Sequence, residues 1–420
     1  MMTVGRLLGC LSLILAVPFG GTISPYPAQK LQHEAVTINI EIPVRVFAGD
    51  TFVDDLNIYD FEIYDDGVLQ KVEAFYLVQE THITREESGL PKEDARKTFS
   101  PQMARHFVLV FEVIDPLPEL SQAVAYFFRT VYLEGDSLTV ITPKRTYTFR
   151  EDALRRLSRE DIIRQLNAKL RADIVTANAE YKTLLKDIED MYTETGIFYW
   201  DTGDWKKVIL ELLEQVDQLR HVNEKRLVEF SDFLRSKNGQ KNVFMFYQAE
   251  MLPKYDPYKM DMVTSGVLVS EPIEDPTVVF KYMDLGSFYH REISFDVDRI
   301  KQVFSDSSIQ IHFLFVTKDP MHQLSVERME SLSQDHIIYQ EQSEDIFSAF
   351  TQVAEATGGY TASSYDAGAV FQDAVAAMNN YYLLYYTPNN YTEDGRFHSL
   401  KVKVKRGAYR VTHRAGYLAD

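Results

Sequence analysis

Cysteine is almost absent from this chain of 420 residues, in which Cys10 is the only thiol. A single cysteine forms no internal disulfide, so the small secreted folds that depend on several disulfides are excluded. Cys10 also lies within an apolar segment near the N-terminus that we interpret as a removable signal peptide. The mature protein then contains no cysteine, which excludes thiol catalysis.

Positive charge is also scarce, with 44 lysines and arginines against 62 aspartates and glutamates and a formal net charge of −18. Nucleic-acid-binding proteins carry basic patches, and docking to anionic lipid needs polybasic segments. The composition therefore predicts no nucleic-acid partner. The 45% of hydrophobic residues provide enough material for a large core, which excludes general disorder.

The sequence lacks the common catalytic motifs. It contains no Gly-x-Ser-x-Gly elbow, no Walker loop, no Gly-x-Gly-x-x-Gly turn and no His-Glu-x-x-His pair. The histidines are scattered, and His312 lies in a predicted buried strand, where we interpret it as a core or rim histidine and not as a ligand. We therefore predict no catalytic residue and no cofactor.

Residues 1–25 have the three parts of a secretory signal peptide. Arg6 gives the start a positive charge, residues 7–19 form an apolar core, and residues 20–22 offer small side chains. This core is too short to span a bilayer comfortably. We predict export to the periplasm or outside the cell, with no integral membrane segment in the mature chain. A buried N-terminal helix is the alternative.

The N-terminal part of the mature chain has a β pattern. Apolar and polar residues alternate over residues 36–46, and Asp66-Gly67 between two β-rich runs is typical of a hairpin turn. Residues 30–80 are therefore predicted as a small β domain, and the polar residues 81–102 as a linker.

The tail, residues 395–420, alternates in the same way. Its exposed positions are basic, whereas the N-terminal β domain is rich in aspartate and glutamate. We expect the tail strands to pair with the N-terminal strands, because opposite charges across two strands stabilise their pairing. The result would be a small all-β, sandwich-like domain. Two separate solvated faces are the alternative.

A βαβ unit occupies the centre of the chain. Residues 106–114 are a short, almost unbroken apolar run, which is typical of a strand buried on both faces of a parallel sheet. A helical pattern follows, and further apolar runs lie at residues 137–142, 242–247 and 309–316. We predict an α/β domain over residues 103–388, built on a doubly wound, mostly parallel sheet.

A long helical hairpin is predicted as an insertion in this domain, over residues 152–238. Apolar residues follow helical spacing along two arms, which are separated by a turn-rich break at residues 195–203. The apolar stripe predicts a packing seam, with a partner-binding groove as the alternative. Aromatic residues in and beside the break are of the types that anchor interfaces, and the alternative is a local core. They are Phe198, Tyr199, Trp200 and Trp205.

Three parts of the chain together resemble a von Willebrand factor type A domain protein of the exported bacterial variety. They are VRVFAGDTFVDDLNIYDFEIYDDGVLQKVEAF (residues 44–75), the run at 106–114, and the C-terminal part QVAEATGGYTASSYDAGAVFQDAVAAMNNYYLLYYTPNN (352–390) with GRFHSLKVKVKRGAYRVTHRAGYLAD (395–420). The resemblance does not cover the helical hairpin or residues 250–295 well. It implies a binding edge at the carboxyl ends of the sheet strands.

Domains of this family usually bind a divalent cation at that edge, through hard oxygen ligands that include an Asp-x-Ser-x-Ser loop. Here Glu112 takes the place of the Asp, but Ile114 and Pro116 replace the hydroxyl residues and have no side-chain oxygen. The resemblance therefore implies a degenerate, metal-free adhesion site. A cation held there in a shifted geometry is the alternative. The candidate binding residues at this edge are Glu112, Asp115, Gln248 and Glu250.

These observations predict a non-catalytic exported protein that binds a protein partner in the cell envelope or outside the cell, as an adhesion or assembly module. Two alternatives remain open. One is an envelope hydrolase with an unrecognised carboxylate site, which a pair of carboxylates with perturbed pKa values in a deep pocket would indicate. The other is a structural subunit of an envelope complex, which a stoichiometric co-purifying partner would indicate.

Overall fold

The computed structural model describes residues 38–90, 99, 101, 103–149, 156–194, 204–255, 293–306, 309–317, 337–389 and 391–419, without the side chains of residues 193, 194, 204–206 and 255. They belong to one unit that begins at Ile38. The predicted signal peptide and the aromatic residues Phe198, Tyr199 and Trp200 lie outside the described residues, as does the side chain of Trp205.

Two antiparallel sheets are built mainly from the two ends of the chain. In spatial order, the first contains β17 (Arg410–Thr412), β1 (Ile40–Ala48), β15 (Asn380–Tyr386), β5 (Ala74–Gln79) and β6 (His82–Ser88), with β2 (Thr51–Phe52) beside β1. The second contains β18 (Gly416–Leu418), β16 (Phe397–Val404), β3 (Phe61–Asp65) and β4 (Val68–Gln70). A short 3-10 helix, Ile58–Asp60, precedes β3.

These two sheets share one hydrophobic core. Alternation along β3 and β16 places Ile63 and Val402 on the buried side, where they pack with Phe75 of the first sheet. On the solvent side, Lys403 lies directly across from Glu62. The tail strands therefore lie against the N-terminal strands, with opposite charges facing each other.

Strand β6 lies within the segment that the sequence predicted as a linker over residues 81–102. It pairs antiparallel with β5, although nearly all of its side chains are polar and most are exposed. An edge strand needs one backbone partner and no apolar face. Its polar composition therefore resembles that of a linker.

The third sheet is mixed. In spatial order it contains β14 (Thr361–Ser364), β12 (Ile309–Val316), β10 (Gln240–Gln248), β7 (Arg105–Glu112), β8 (Ser137–Ile141) and β9 (Thr146–Phe149). Neighbouring strands are parallel except for β8 and β9, which are antiparallel. A separate antiparallel pair joins β11 (Met251–Tyr255) to β13 (Ile337–Glu341).

The predicted fold class, a doubly wound and mostly parallel sheet of the von Willebrand type A kind, is wrong. The protein is mixed α/β, with antiparallel sheets and one mixed sheet. The difference is clearest at β15, which pairs antiparallel with β1 and β5 instead of joining the sheet of the predicted α/β domain. Tyr382 and Leu383 are buried on opposite faces of β15. A strand covered on both faces gives an unbroken apolar run in either kind of sheet.

Helices cover both faces of the mixed sheet. On one face lie α1 (Pro118–Tyr126), continued by a π-helical turn at Phe127–Val131, with α2 (Arg159–Ala177) and α8 (Ala367–Met378). On the other lie α5 (Glu224–Arg235), α6 (Val297–Ser305) and α7 (Glu344–Ala356). Two further helices, α3 (Ala179–Glu194) and α4 (Asp204–Arg220), pack on each other and against Ile114 and Leu252. None of the described helices is both long and apolar enough to cross a membrane.

The described residues of the predicted helical hairpin over residues 152–238 include the four helices α2 to α5. Asn178 separates α2 from α3, and residues 221–223 separate α4 from α5. Helix α2 packs into the core of the mixed sheet through Ile162 and Leu166. Part of the segment expected to be an insertion is therefore part of the sheet core.

Candidate binding site at the carboxyl edge of the mixed sheet

The carboxyl ends of β7 and β10 bring the predicted edge residues together. The two strands are parallel neighbours, and Glu112 at the end of β7 lies opposite Tyr247 of β10. The chain then continues into Asp115 on one side and into Gln248 and Glu250 on the other. The carboxyl-edge site is defined here as Glu112, Asp115, Gln248 and Glu250 with two basic residues, Lys182 and Arg220.

Gln248 holds the loop that follows β7. Its side-chain oxygen accepts hydrogen bonds from the backbone N–H groups of Ile114 and Asp115, at 2.9 and 2.8 Å. Its Nε2 donates to Asp115 Oδ2 at 3.0 Å, and the residue is only 3% exposed. The side-chain amide of Gln248 satisfies all of these polar groups, so the end of β10 fixes the loop that follows β7.

Lys182 of α3 supplies a positive charge to the same loop. Its Nζ donates to Asp115 Oδ1 at 2.7 Å, and both side chains are about two-fifths exposed. An ion pair this open to solvent contributes little to stability. The effect of Lys182 is local, because its ammonium group lies against the carboxylate of Asp115.

Arg220, at the end of α4, forms a buried ion pair with Glu250. Its Nε donates to Glu250 Oε1 at 3.0 Å, and the two side chains are 8% and 4% exposed. The hydroxyl of Tyr247 donates to the same oxygen, and the guanidinium also lies over the rings of Tyr247 and Tyr181. A basic side chain is therefore built into the interior of the edge.

The surroundings of Arg220 favour its charged form. Burial alone would lower its pKa, but the neighbouring Tyr247, Glu250 and Glu112 act in the opposite direction, and the net effect raises the pKa of Arg220 above its usual value. The guanidinium is consequently a permanent cation beside two carboxylates. The backbone N–H of Glu250 also donates to Ser343 Oγ at 3.1 Å, which anchors the residue to the segment before α7.

A cleft of about 510 Å³ opens beside Glu112, Arg220 and Tyr247. It lies on the face of the mixed sheet that α5, α6 and α7 cover, and its apolar lining includes Val110 of β7 and Phe230 of α5. A volume of this size is typical of sites that bind small ligands.

The exposed residues that line this cleft are taken as its mouth, and the charged ones among them are basic. Lys144 and Arg226 are exposed lining residues, and among the described residues neither forms an ion pair with an acidic side chain. Arg145 also lines the mouth and lies 3.9 Å from Asp173. The basic cleft is defined as this cavity with Lys144, Arg145 and Arg226 at its mouth.

The sequence did not identify Lys182, Arg220 or the basic cleft. Arg220 ends an amphipathic helix, where a basic residue is ordinary because it interacts favourably with the helix dipole. Nothing in its spacing indicates that it reaches Glu250, thirty positions along the chain. Of the predicted interface aromatics, the structure places only the backbone of Trp205, in the first turn of α4.

Comparisons with protein-family models, with curated proteins and with solved structures give no match for this chain, so its family is not shown.

Proposed function

We propose that the protein is a non-catalytic binding protein, acting in the cell envelope or outside the cell, which contacts a protein partner at the carboxyl edge of the mixed sheet without a metal ion there. One observation carries this proposal. Two carboxylates of the edge already contact cationic side chains. Glu250 contacts buried Arg220, and Asp115 contacts Lys182. A divalent cation would have to displace Arg220 from a site where its side chain is 8% exposed.

The basic cleft indicates the chemistry of the partner. The chain carries a net charge of −18, yet the mouth of the cleft presents Lys144, Arg145 and Arg226. Complementary charge guides association and excludes wrong partners, while an apolar cavity holds an anchoring side chain. The fitting partner segment is acidic and carries a large apolar residue that enters the cleft.

A charge-reversal experiment tests this proposal. The tagged full-length protein carries Lys144→Glu with Arg226→Glu, and captured proteins from the native envelope are quantified by mass spectrometry. The matched control is Lys207→Glu with Lys405→Glu, because both lysines are exposed and neither lines the cleft. Both double variants change the net charge equally.

We expect a stoichiometric partner that the wild type and the control capture equally and that the cleft variant captures about tenfold less or weaker still. Added Mg²⁺ should leave capture unchanged. Equal capture by the cleft variant, or capture that requires Mg²⁺, would contradict the proposal.

A further inference from the structure

A second group of polar residues lies far along the chain from the carboxyl edge, where β3 turns into β4. One carboxylate oxygen of Asp65, one of Asp66 and a ring nitrogen of His398 all lie within 4.8 Å of one another. Asp65 ends β3, Asp66 starts the tight turn to β4, and His398 belongs to the neighbouring strand β16. These three residues are called the turn cluster.

The backbone fixes the turn cluster. Asp66 and Gly67 have φ angles of 45° and 79°, as a two-residue hairpin turn of this kind requires. Asp66 Oδ1 accepts hydrogen bonds from the backbone N–H and the hydroxyl of Ser399, at 2.8 and 3.0 Å. The turn is thereby tied to β16, one residue from His398.

Asp65 directs a buried carboxylate into this group. The residue is 7% exposed, and its Oδ2 accepts hydrogen bonds from the hydroxyls of Tyr386 and Tyr417, at 2.8 and 2.9 Å. Its Oδ1 is buried and has no hydrogen-bond partner among the described residues. A buried carboxylate oxygen without a donor is costly, and a bound cation would satisfy it.

The ring of His398 lies between two carboxylates. Its Nδ1 lies 2.9 Å from Asp66 Oδ2, and its Nε2 lies 3.5 Å from Asp394 Oδ1. A metal-bound imidazole commonly interacts with a carboxylate through its second nitrogen, which fixes the ring. The ring also stacks on Tyr417, with 5.3 Å between the ring centroids.

We propose that Asp65, Asp66 and His398 bind one divalent transition-metal ion, with Zn²⁺ as the best-fitting ion, and that Asp394 positions His398. Two carboxylates and one imidazole form a mixed oxygen and nitrogen donor set, which suits Zn²⁺ better than Mg²⁺ or Ca²⁺. The side chain of Asp66 is 52% exposed, so the ion has an open route. The bound ion links the β3–β4 turn to the tail strand β16.

The test uses the full-length protein with any affinity tag removed and with metal stripped by a chelator. Zn²⁺ alone is titrated by calorimetry into the wild type, Asp66→Asn and His398→Gln. Asparagine keeps the turn conformation and an acceptor for Ser399, so Asp66→Asn is expected to fold, and circular dichroism checks this. His82→Gln is the matched control, because His82 is exposed on β6, outside the cluster.

We expect one Zn²⁺ per chain in the wild type and in His82→Gln, and binding weakened about tenfold or more in both cluster variants. The Co²⁺-loaded wild type should show visible absorption that Asp66→Asn loses. No Zn²⁺ binding by the wild type, or binding that folded Asp66→Asn and His398→Gln retain, would overturn the proposal. Capture of a protein partner at the basic cleft is measured separately, so either proposal can fail alone.

Discussion

Arg220 supplies the buried positive charge at the carboxyl edge. Arginine stays charged when buried and presents several donors in one plane, so it can neutralise a carboxylate in the interior of a protein. Here it does so for Glu250, with the guanidinium also held against two tyrosine rings. Removing Arg220 takes the cation away from the buried carboxylate of Glu250, and removing Glu250 leaves the buried guanidinium with Glu112 as its remaining acidic neighbour.

Arg220→Met and Glu250→Met should each lower the free energy of unfolding by about 3–5 kcal/mol. The double variant should be less destabilised than the sum of the two, because neither charge then remains. Urea denaturation of the full-length proteins measures these differences. A loss below about 1 kcal/mol in both single variants would show that the pair is solvated and not buried.

His312 makes the stability of the fold depend on pH. It is 1% exposed, stacks on Phe244, and its Nδ1 accepts a hydrogen bond from the backbone N–H of Tyr360. Burial, with a smaller effect from Arg45, lowers the pKa of His312 from 6.5 to about 3. As the pH falls, His312 therefore takes up a proton near pH 6.5 in the unfolded chain but only near pH 3 in the folded protein. This contribution to stability is complete above about pH 6.5 and decreases as the pH falls.

His312→Asn should reduce that dependence, because asparagine keeps an acceptor for Tyr360 but does not titrate. Between pH 6.5 and pH 5, the wild type should lose about 1.5 kcal/mol more stability than the variant. Urea denaturation at the two pH values measures both losses. Equal losses would contradict the buried, neutral state of His312.

At the scale of elements, the central strands could be predicted from the sequence but their sheet membership could not. The apolar run at residues 309–316 coincides with β12, and the runs at 106–114 and 242–247 overlap β7 and β10 closely, because burial on both faces leaves few polar positions. The same burial made β15 resemble a parallel strand. Pairing partners depend on long-range contacts, and β15 lies opposite β1, more than three hundred positions earlier.

The candidate site could be predicted only in part, for a similar reason. Because β7 and β10 are parallel neighbours, Glu112 and Gln248 had to end at one edge. The cations that contact the edge come from α3 and α4, and no local pattern indicates which helix residue reaches it. The sequence predicted the hairpin turn and the pairing of the tail with the N-terminal strands, but not the register that brings His398 to the turn cluster.

Two glycines follow α7, and they have different roles. Gly358 has a φ of 70°, which ends the helix, whereas Gly359 lies so close to β12 that a Cβ would be 1.8 Å from the carbonyl oxygen of Ile311. Gly359→Ala should therefore cost about 3 kcal/mol or more, since backbone must move.

Gly135→Ala is the control for Gly359→Ala. Gly135 has a φ of 98° with open space around it, so alanine there should cost only about 1–2 kcal/mol. Thermal and urea denaturation compare the two variants. If Gly359→Ala were the milder change, helix α7 would not pack against β12 as closely as described.

In the whole molecule, the C-terminal strands pair with strands from the N-terminal part of the chain. Strand β16 pairs with β3, and strand β17 pairs with β1. In the sequence, the segments that form the mixed sheet and its helices therefore lie between strands that share one core. The proposed metal ion lies at this junction, and the proposed partner site lies at the carboxyl edge of the mixed sheet. The two sites are formed by different elements and can be altered independently.

A calorimetric titration of the chelator-treated wild type and Glu112→Ala with Mg²⁺ tests whether the carboxyl edge binds a metal ion. Because Arg220 and Lys182 supply the positive charge at the carboxyl edge, we expect no Mg²⁺ binding there and identical titrations for the two proteins. A micromolar Mg²⁺ site in the wild type that disappears in Glu112→Ala would contradict it.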